Sequence, residues 1–363
     1  MKLAIVGIQG LPNKYGGFET LASFLALYLS AEHEITVYCS AKDMPLRQPE
    51  YHGAKLLYFP FSSHGLQGMM YDMLSLMHAV KKNELVLFLG FGAGFLMPFL
   101  SNKSKQKIVL NFGGLDWQRN KWNVFSKAII QLSEKLLVKN AGQIIADNPL
   151  IANYISTTYN RPSTFIAYGG DQVTKELITA NDLVIYPFLQ STYAFAVCRI
   201  QPDNNIVLLI EAFKDATIPL VVVGNWNESA FGKTTLQAFK EQPNLYLLEA
   251  IYQPKILNML RSNCMVYLHG HSAGGTNPSL VEAMHLGLPI FAYASGYNEA
   301  TTTGLAKYFN NATELKNLVN TFDVTNENIA ALKMKQMAIE KYSWQVVTAA
   351  YNNVFKQQLK ASK

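Results

Sequence analysis

Between His269 and Ala292 the chain reads HGHSAGGTNPSLVEAMHLGLPIFA. Two histidines, a Gly-Gly pair, an Asn-Pro step and a glutamate fall in a loop that runs straight into an apolar helix and a strand. Gly274 and Gly275 can adopt positive φ and let a ligand approach the backbone. Asn277 fits an N-cap and Pro278 the first helical position. Such a start leaves the amides of Ser279 and Leu280 unpaired, and with the positive end of the helix dipole they make an anion site. Glu282, on the first turns, is placed to accept hydrogen bonds from hydroxyls of whatever carries the anion. An anion beside a diol describes a nucleotide sugar, with diphosphate at the helix tip and ribose at the carboxylate. The competing reading is an ordinary capped helix with a surface glutamate.

Other stretches add groups of matching chemistry. In GLPNKYGGFETLASFLALYL, Gly16 and Gly17 precede Glu19 and a helix start across which a phosphate or sugar can pass. Arg199 ends the strand YAFAVCRI and puts a permanent cation at the edge where such sheets bind ligands, suited to offset charge on a departing diphosphate. Its structural alternative is an ion pair with Glu211. GGLDWQRNKW follows the strand KIVLNF, so Asp116 is expected at the ligand edge with Trp117, Arg119 and Trp122 nearby. Aromatic faces and a carboxylate suit a sugar acceptor, and Arg119 and Lys121 suit its phosphate. Packing tryptophans on a plain helix are the alternative. Asn148, in ADNP, is also read as facing the cleft.

These groups need a scaffold that brings strand ends and helix starts together. Strand-like runs (LAIVGI, EITVYC, KLLYFPF, LVLFLG, KIVLNF, QIIADN) alternate with helical stretches in the first half, and YAFAVCRI, PLVVVGN, LYLLEA, MVYLHG and LPIFAYA continue in the second. The fold class is therefore α/β, with parallel sheets that bind ligands beyond the carboxyl ends of their strands. The 363 residues suggest two domains, with the irregular stretch from Thr174 to Thr192 as linker. The expected division is 1–185 and 190–342, two domains facing each other across a cleft.

Composition narrows the field. Hydrophobic residues form 49% of the chain and charged ones 15%, which excludes disorder. A net charge of +6, spread diffusely, excludes a nucleic-acid partner but is compatible with anionic lipid heads. Cys39, Cys198 and Cys264 lack metal-type spacing and read as buried thiols. The MKLAIVGIQGLP start reads as a first strand rather than a signal peptide, so a cytoplasmic location is expected. LVLFLGFGAGFLMPFL, broken by glycines and a proline, is too short for a spanning helix. Gly232-Lys233-Thr234 lacks the upstream glycine of a P-loop, and VGIQGLP lacks the dinucleotide-binding spacing. His269 and His271 are expected on opposite faces of a continuing strand, with no third ligand near them, so no metal site is expected.

The blocks GLPNKYGGFET, GGLDWQRNKW, ADNPLIANYI, AYGGD, CRIQPDNNIVLLIEAF, HGHSAGGTNPSLVEAMHLGLPIFA and KYSWQVV, in that order, resemble the retaining GT-B glycosyltransferases of family 4. The bacterial rhamnosyltransferase-like branch, with a DUF1972-type N-terminal domain, is the nearest match. The resemblance implies GT-B architecture, two facing Rossmann-like domains with a C-terminal crossover helix, residues 343–363 packing back on the N-terminal domain. It implies a nucleoside diphosphate sugar donor, no metal and no cofactor. A hexose or 6-deoxyhexose, rhamnose in particular, would pass to a glycan or lipid-linked sugar acceptor in surface polysaccharide assembly. The donor is assigned to Gly16, Gly17, Arg199, Asn204, His271, Gly274, Gly275, Thr276, Asn277, Pro278, Ser279 and Glu282. The acceptor is assigned to Tyr15, Glu19, Asp116, Trp117, Arg119, Trp122 and Asn148, and the chemistry to Asp116, Arg199 and Glu282. Gly274 stands where the family has a glutamate, and Asn204 where it commonly has a lysine. The segment GLQGMMYDMLSLMHAVKK suits attachment to the inner leaflet. A nucleotide-sugar 2-epimerase of the same architecture is the rival reading.

Overall fold

The computed structural model describes residues 1–12, 16–119 and 122–362. Tyr15 and Lys121 lie outside the described residues. The chain divides into two compact units. The first comprises residues 1–118, 122–168 and 344–363, and the second residues 119–121 and 169–343.

Among the described residues, the first unit holds an eight-stranded sheet: β1 (Lys2–Val6), β2 (Glu34–Ser40), β3 (Glu50–Tyr51), β4 (Ala54–Phe59), β5 (Leu85–Leu89), β6 (Ile108–Asn111), β7 (Gln143–Ala146) and β8 (Thr164–Phe165). Their order is β3-β4-β2-β1-β5-β6-β7-β8, parallel except for the β3–β4 pair. The central strands are continuous apolar runs because helices cover both faces; every residue of LVLFL in β5 is buried. Between β1 and β5 the strand order reverses, and there a parallel sheet opens a crevice for ligands. Gly7, just past β1, has φ +96°, and a Cβ there would lie 2.1 Å from the Leu89 carbonyl oxygen, so glycine lets the two strand ends close up.

The second unit repeats the plan with β9 (Ala194–Val197), β10 (Leu220–Val223), β11 (Leu245–Leu248), β12 (Val266–His269), β13 (Ile290–Tyr293) and β14 (Lys307–Phe309). The order β11-β10-β9-β12-β13-β14 puts its switch point between β9 and β12. Each strand in that order runs parallel to its neighbours. Arg199 and the His269–Ala292 stretch therefore share one carboxyl edge.

The last helix, Trp344–Ala361, belongs to the first unit. Trp344 is buried and stacks on Phe24 of the helix Gly17–Leu29 with ring centroids 4.2 Å apart. Asn352 bonds His33 at 2.7 Å, and Tyr351 receives a hydrogen bond from Asn111 at 2.5 Å.

The stretch after Thr174 is not a linker. The Glu176 amide donates to Ser262 Oγ at 3.2 Å and Asn263 donates to the Glu176 carbonyl at 2.9 Å, so the segment is tied to the helix Pro254–Ser262. Residues 169–185 cluster with the second unit, not the first. The apolar run from Leu85 is β5, a turn at Gly90 and a 3-10 helix Gly94–Phe99. Among the described residues no helix is long and apolar enough to cross a membrane.

Candidate functional site

In the second unit, β12 delivers the histidines and the glycine loop to the switch point. Positions 267, 269 and 271 are two apart, so they line one face of the extended chain. The His269 and His271 rings stack with centroids 4.4 Å apart and planes 11° from parallel, with the Tyr267 ring 6.0 Å from His269. The expectation of opposite faces is thus corrected: a separation of two residues restores the same face in a strand. His269 is 1% exposed, and neither of its ring nitrogens has a partner among the described residues. Burial pushes its pKa down to about 3. His271 is also held neutral, by burial first and then by His269, Arg199 and Arg119.

Two loops meet at this edge. Asn205 Nδ2 donates to the Gly270 carbonyl at 2.8 Å, and the Ser272 amide donates to the Asp203 carbonyl at 3.0 Å. Asn204 is buried and its side chain donates to the Arg199 carbonyl at 2.6 Å. The asparagine in the lysine position thus braces the backbone that carries Arg199. The Arg199 guanidinium forms no ion pair among the described residues, with Glu211 or any other acid.

The helix Pro278–Leu286 begins as its sequence demands, with Asn277 as N-cap and Pro278 in the first turn. Its tip is not bare. Asn277 Oδ1 accepts from the Ser279 amide at 3.1 Å, and the Leu280 amide donates to the Asn277 carbonyl at 3.1 Å. The two amides expected to be free are therefore paired, because an asparagine N-cap satisfies the donors it precedes. Open donors sit one step earlier. Gly274 has φ +129°, and a Cβ there would meet nothing within 4 Å. The amides of Gly274 and Gly275 make no hydrogen bond among the described residues. Thr276, next in the chain, is buried.

Glu282 is not a surface glutamate either. Its carboxylate is gripped by Arg261, 2% exposed, and accepts from Gln172 Nε2 at 2.5 Å, leaving its side chain 17% exposed. Arg261 in turn donates to Asn258 at 3.2 Å. Gly170 packs on the helix backbone: a Cβ there would come within 2.9 Å of the Glu282 nitrogen. Neither Arg261 nor Gln172 carried a sequence signal. One sits in an amphipathic helix and the other in a loop far upstream.

In the first unit, Glu19 folds back over the start of the helix Gly17–Leu29. Its carboxylate accepts from the Gln9 amide at 3.0 Å, and a Cβ on Gly16 would lie 2.0 Å from its Oε2. The Gly16–Gly17 helix start is thus occupied by the chain's own carboxylate, not open to a donor phosphate. Asp116 and Trp117 lie in a 3-10 turn (Asp116–Gln118). Beside Trp117, buried Glu134 accepts from Tyr154 at 3.0 Å and Tyr159 at 2.6 Å, and burial raises its pKa. Trp117 and Trp122 both bury their indole nitrogens. Asn148 is fully buried and caps the helix Pro149–Tyr159 through the Leu150 amide at 3.0 Å, so it is a cap and not a cleft-facing group. Arg119 parts from Asp116 and Trp117 and groups with the second unit, its guanidinium 4.0 Å from Asp203. Among the described residues no group of three or more His, Cys, Asp or Glu could hold a metal ion.

Two stability predictions follow from these burials. Glu282→Ala leaves the Arg261 charge buried alone, which costs about 3–5 kcal/mol. The double variant Arg261→Met with Glu282→Leu recovers most of that loss; urea denaturation checks both, and equal midpoints for wild type and Glu282→Ala contradict the pairing. For His269, the unfolded ring titrates near 6.5 and the folded one at about 3. The unfolded chain binds the extra proton, so this stability is present above 6.5 and lost as pH falls towards 3. His269→Phe should therefore show a shallower fall in urea midpoint over that window, and parallel curves would refute the burial argument.

Comparison with known proteins places this geometry. Residues 1–171 match a domain of unknown function, DUF1972, and residues 164–340 match glycosyl transferases group 1. No curated protein matches the sequence. Among solved structures the chain is similar to sucrose-phosphate synthase from Thermosynechococcus elongatus, at 15% identity and TM-score 0.80 over 99% of both chains. It is similar to HepE from Anabaena in complex with UDP-glucose, at 15% identity and TM-score 0.73 over 98% of this chain and 100% of that one. Trehalose-6-phosphate synthase OtsA gives 9% identity and TM-score 0.74 over 98% and 99%. At such identities the likeness shows the fold, which is GT-B. With both matched domains in that fold, the chain belongs to the family 4 GT-B glycosyltransferases, joining a DUF1972 domain to a glycosyl transferases group 1 domain.

Proposed function

We propose that this glycosyltransferase moves a hexose or 6-deoxyhexose, rhamnose in particular, from a nucleoside diphosphate sugar to a sugar acceptor, with retention at the anomeric carbon and without a metal. The observation that carries the reading is Arg199, a cation without an acid partner among the described residues, near His271 at the switch-point edge of the second sheet from which the open glycine amides also extend. A diphosphate is the ligand that such an edge compensates. The amides of Gly274 and Gly275 replace those of Ser279 and Leu280 as its donors, and the Pro278–Leu286 helix dipole still favours its charge. Similar proteins solved with UDP-glucose support a nucleotide sugar as donor.

Glu282 keeps its assigned part in a modified form. A carboxylate offers about four acceptor directions; Arg261 and Gln172 take two, and the exposed remainder accepts the ribose hydroxyls. Pre-orientation by a buried arginine reduces the entropy lost on binding. In the transfer, the bond from the anomeric carbon to the diphosphate breaks as the acceptor oxygen bonds on the same face. The acceptor's proton passes to a donor phosphate oxygen, and Arg199 stabilises the charge on the leaving diphosphate. Neutral His271 borders that charge without repelling or pairing with it. Asp116 and Trp117 serve the acceptor.

The acceptor is proposed to be lipid-linked, in surface polysaccharide assembly, with the protein resting on the inner leaflet. The helix Gly65–Lys82 exposes Leu66 and Met70 and ends in Lys81 and Lys82. Beside it, Phe59, Phe61, Leu74, Met77 and Lys81 line an apolar cavity of about 320 Å³. Apolar residues with adjacent lysines are the features of interfacial binding.

Two measurements test this reading. In a thermal-shift panel, nucleoside diphosphate sugars raise the melting temperature by mass action, and Arg199→Ala removes most of the rise. A shift with dTDP sugars alone supports a deoxyhexose, a shift with UDP sugars alone redirects the donor, and no shift with any sinks the proposal. Turnover of UDP-GlcNAc without acceptor would favour the epimerase. For the membrane, co-sedimentation with phosphatidylglycerol vesicles should fall in Lys81→Glu/Lys82→Glu, and equal binding to neutral phosphatidylcholine vesicles would contradict it.

A further inference from the structure

The helix Val124–Asn140 carries a carboxyl on its buried stripe. Glu134 is 0% exposed and shares that stripe with Ser133, Leu137 and Val138. Ser133 holds this face inward: its hydroxyl accepts from the Gly94 amide at 3.0 Å and donates to the Phe91 carbonyl. A carboxylate taken out of water needs hydrogen bonds to offset its lost hydration. Glu134 has two on Oε1, from the hydroxyls of Tyr154 and Tyr159 on the helix Pro149–Tyr159. Its Oε2 accepts none among the described residues. The surrounding walls are aromatic. Phe112, just past β6, meets Tyr154 edge-on with ring centroids 6.0 Å apart, and Tyr154 meets Tyr159 at 5.9 Å.

The complementary atom is next to it. The Trp117 indole nitrogen is buried and donates to no acceptor among the described residues. It lies near enough to Glu134 and Tyr154 to favour their charged forms without closing a hydrogen bond. A buried donor and a buried acceptor that are both unmet cost more apart than joined. Trp117 belongs to the three-residue turn Asp116–Gln118, whose 3-10 hydrogen bonding is weak in geometry. The place of that turn therefore depends on what its side chains grip.

We propose that Glu134 is a positioning residue: its carboxylate takes the Trp117 indole N–H and so sets the turn that carries Asp116 and Trp117, and protonation of the carboxyl releases that hold. The role rests on the reading of Asp116 and Trp117 as residues that serve the acceptor. Glu134 is fully buried and acts only through Trp117. A carboxylate draws an N–H more strongly than a neutral carboxyl does. Burial raises the Glu134 pKa above the ordinary glutamate range; the hydroxyls of Tyr159 and Tyr154 and the Trp117 N–H pull it down, and the Asp116 charge pushes it up again. The turn is thus held above that raised pKa and loosens as pH falls through it.

The full chain labelled with indole-15N tryptophan gives four indole signals, one for each tryptophan, and Trp117→Phe identifies the relevant one. From about pH 4 to about pH 9 the Trp117 proton should move in one step, downfield on the alkaline side, with a midpoint above ~4.3, the unperturbed glutamate value. The buried Trp226 and Trp344 should not follow that step and so report the fold. Glu134→Gln keeps the side-chain shape without the titration, so the step should vanish. Tyr154→Phe/Tyr159→Phe removes hydrogen bonds to the charged form and should raise the midpoint. At neutral pH the amides of the peptide spanning the turn should exchange about tenfold faster in Glu134→Gln, the weight of a hydrogen bond to a charged group. A Trp117 signal that stays still, one that steps equally in Glu134→Gln, or equal exchange in the two proteins overturns the role of Glu134. The thermal shift with UDP reports the donor reading separately: its absence from the wild type counts against the transferase, while the indole step still decides the part played by Glu134.

Discussion

A parallel sheet covered by helices on both faces can hold polar chemistry only where its strands stop. Both sheets here obey that constraint. Their central strands are buried apolar runs, and the charged and hydrogen-bonding groups gather at the carboxyl ends beside a reversal of strand order. In the second unit the edge holds Arg199, the stacked histidines and the glycine loop. In the first it holds Glu19, the Gly7 turn and Asp72. The rest of each unit serves to set those ends at the right spacing.

The two edges are built in opposite electrostatic senses. Around Arg199 the fold supplies a cation, open amides and the start of a helix, and it keeps both histidines neutral by burial, so the unmet need is for negative charge. Around the cavity at the end of β1 it supplies the carboxyls of Glu19 and Asp72. At Glu282, Arg261 and Gln172 occupy part of the carboxylate and fix its orientation.

Much of the scaffold was legible. Alternating apolar runs identified the main strands, and Asn277-Pro278 marked a helix start to the residue, because a cap and a proline act on their immediate neighbours. The short edge strands β3, β8 and β14 escaped notice, since two or three residues carry no measurable period. The segment from Thr174 to Thr192 looked like a linker for want of periodicity, yet its backbone is tied to Ser262 and Asn263. Asn148 was read as a ligand contact when its own helix claims it.

What the sequence determined by itself are the local facts: α/β class, a glycine loop before a capped helix, a cation at a strand end, and motifs that resemble one family of transferases. Only the tertiary structure decided which polar groups are already spent. Glu282 meets Arg261 from 21 positions away and Gln172 from 110, while Asn277 consumes the Ser279 amide that looked free. Whether a side chain is satisfied depends on every element packed around it, and no local pattern of residues encodes that count.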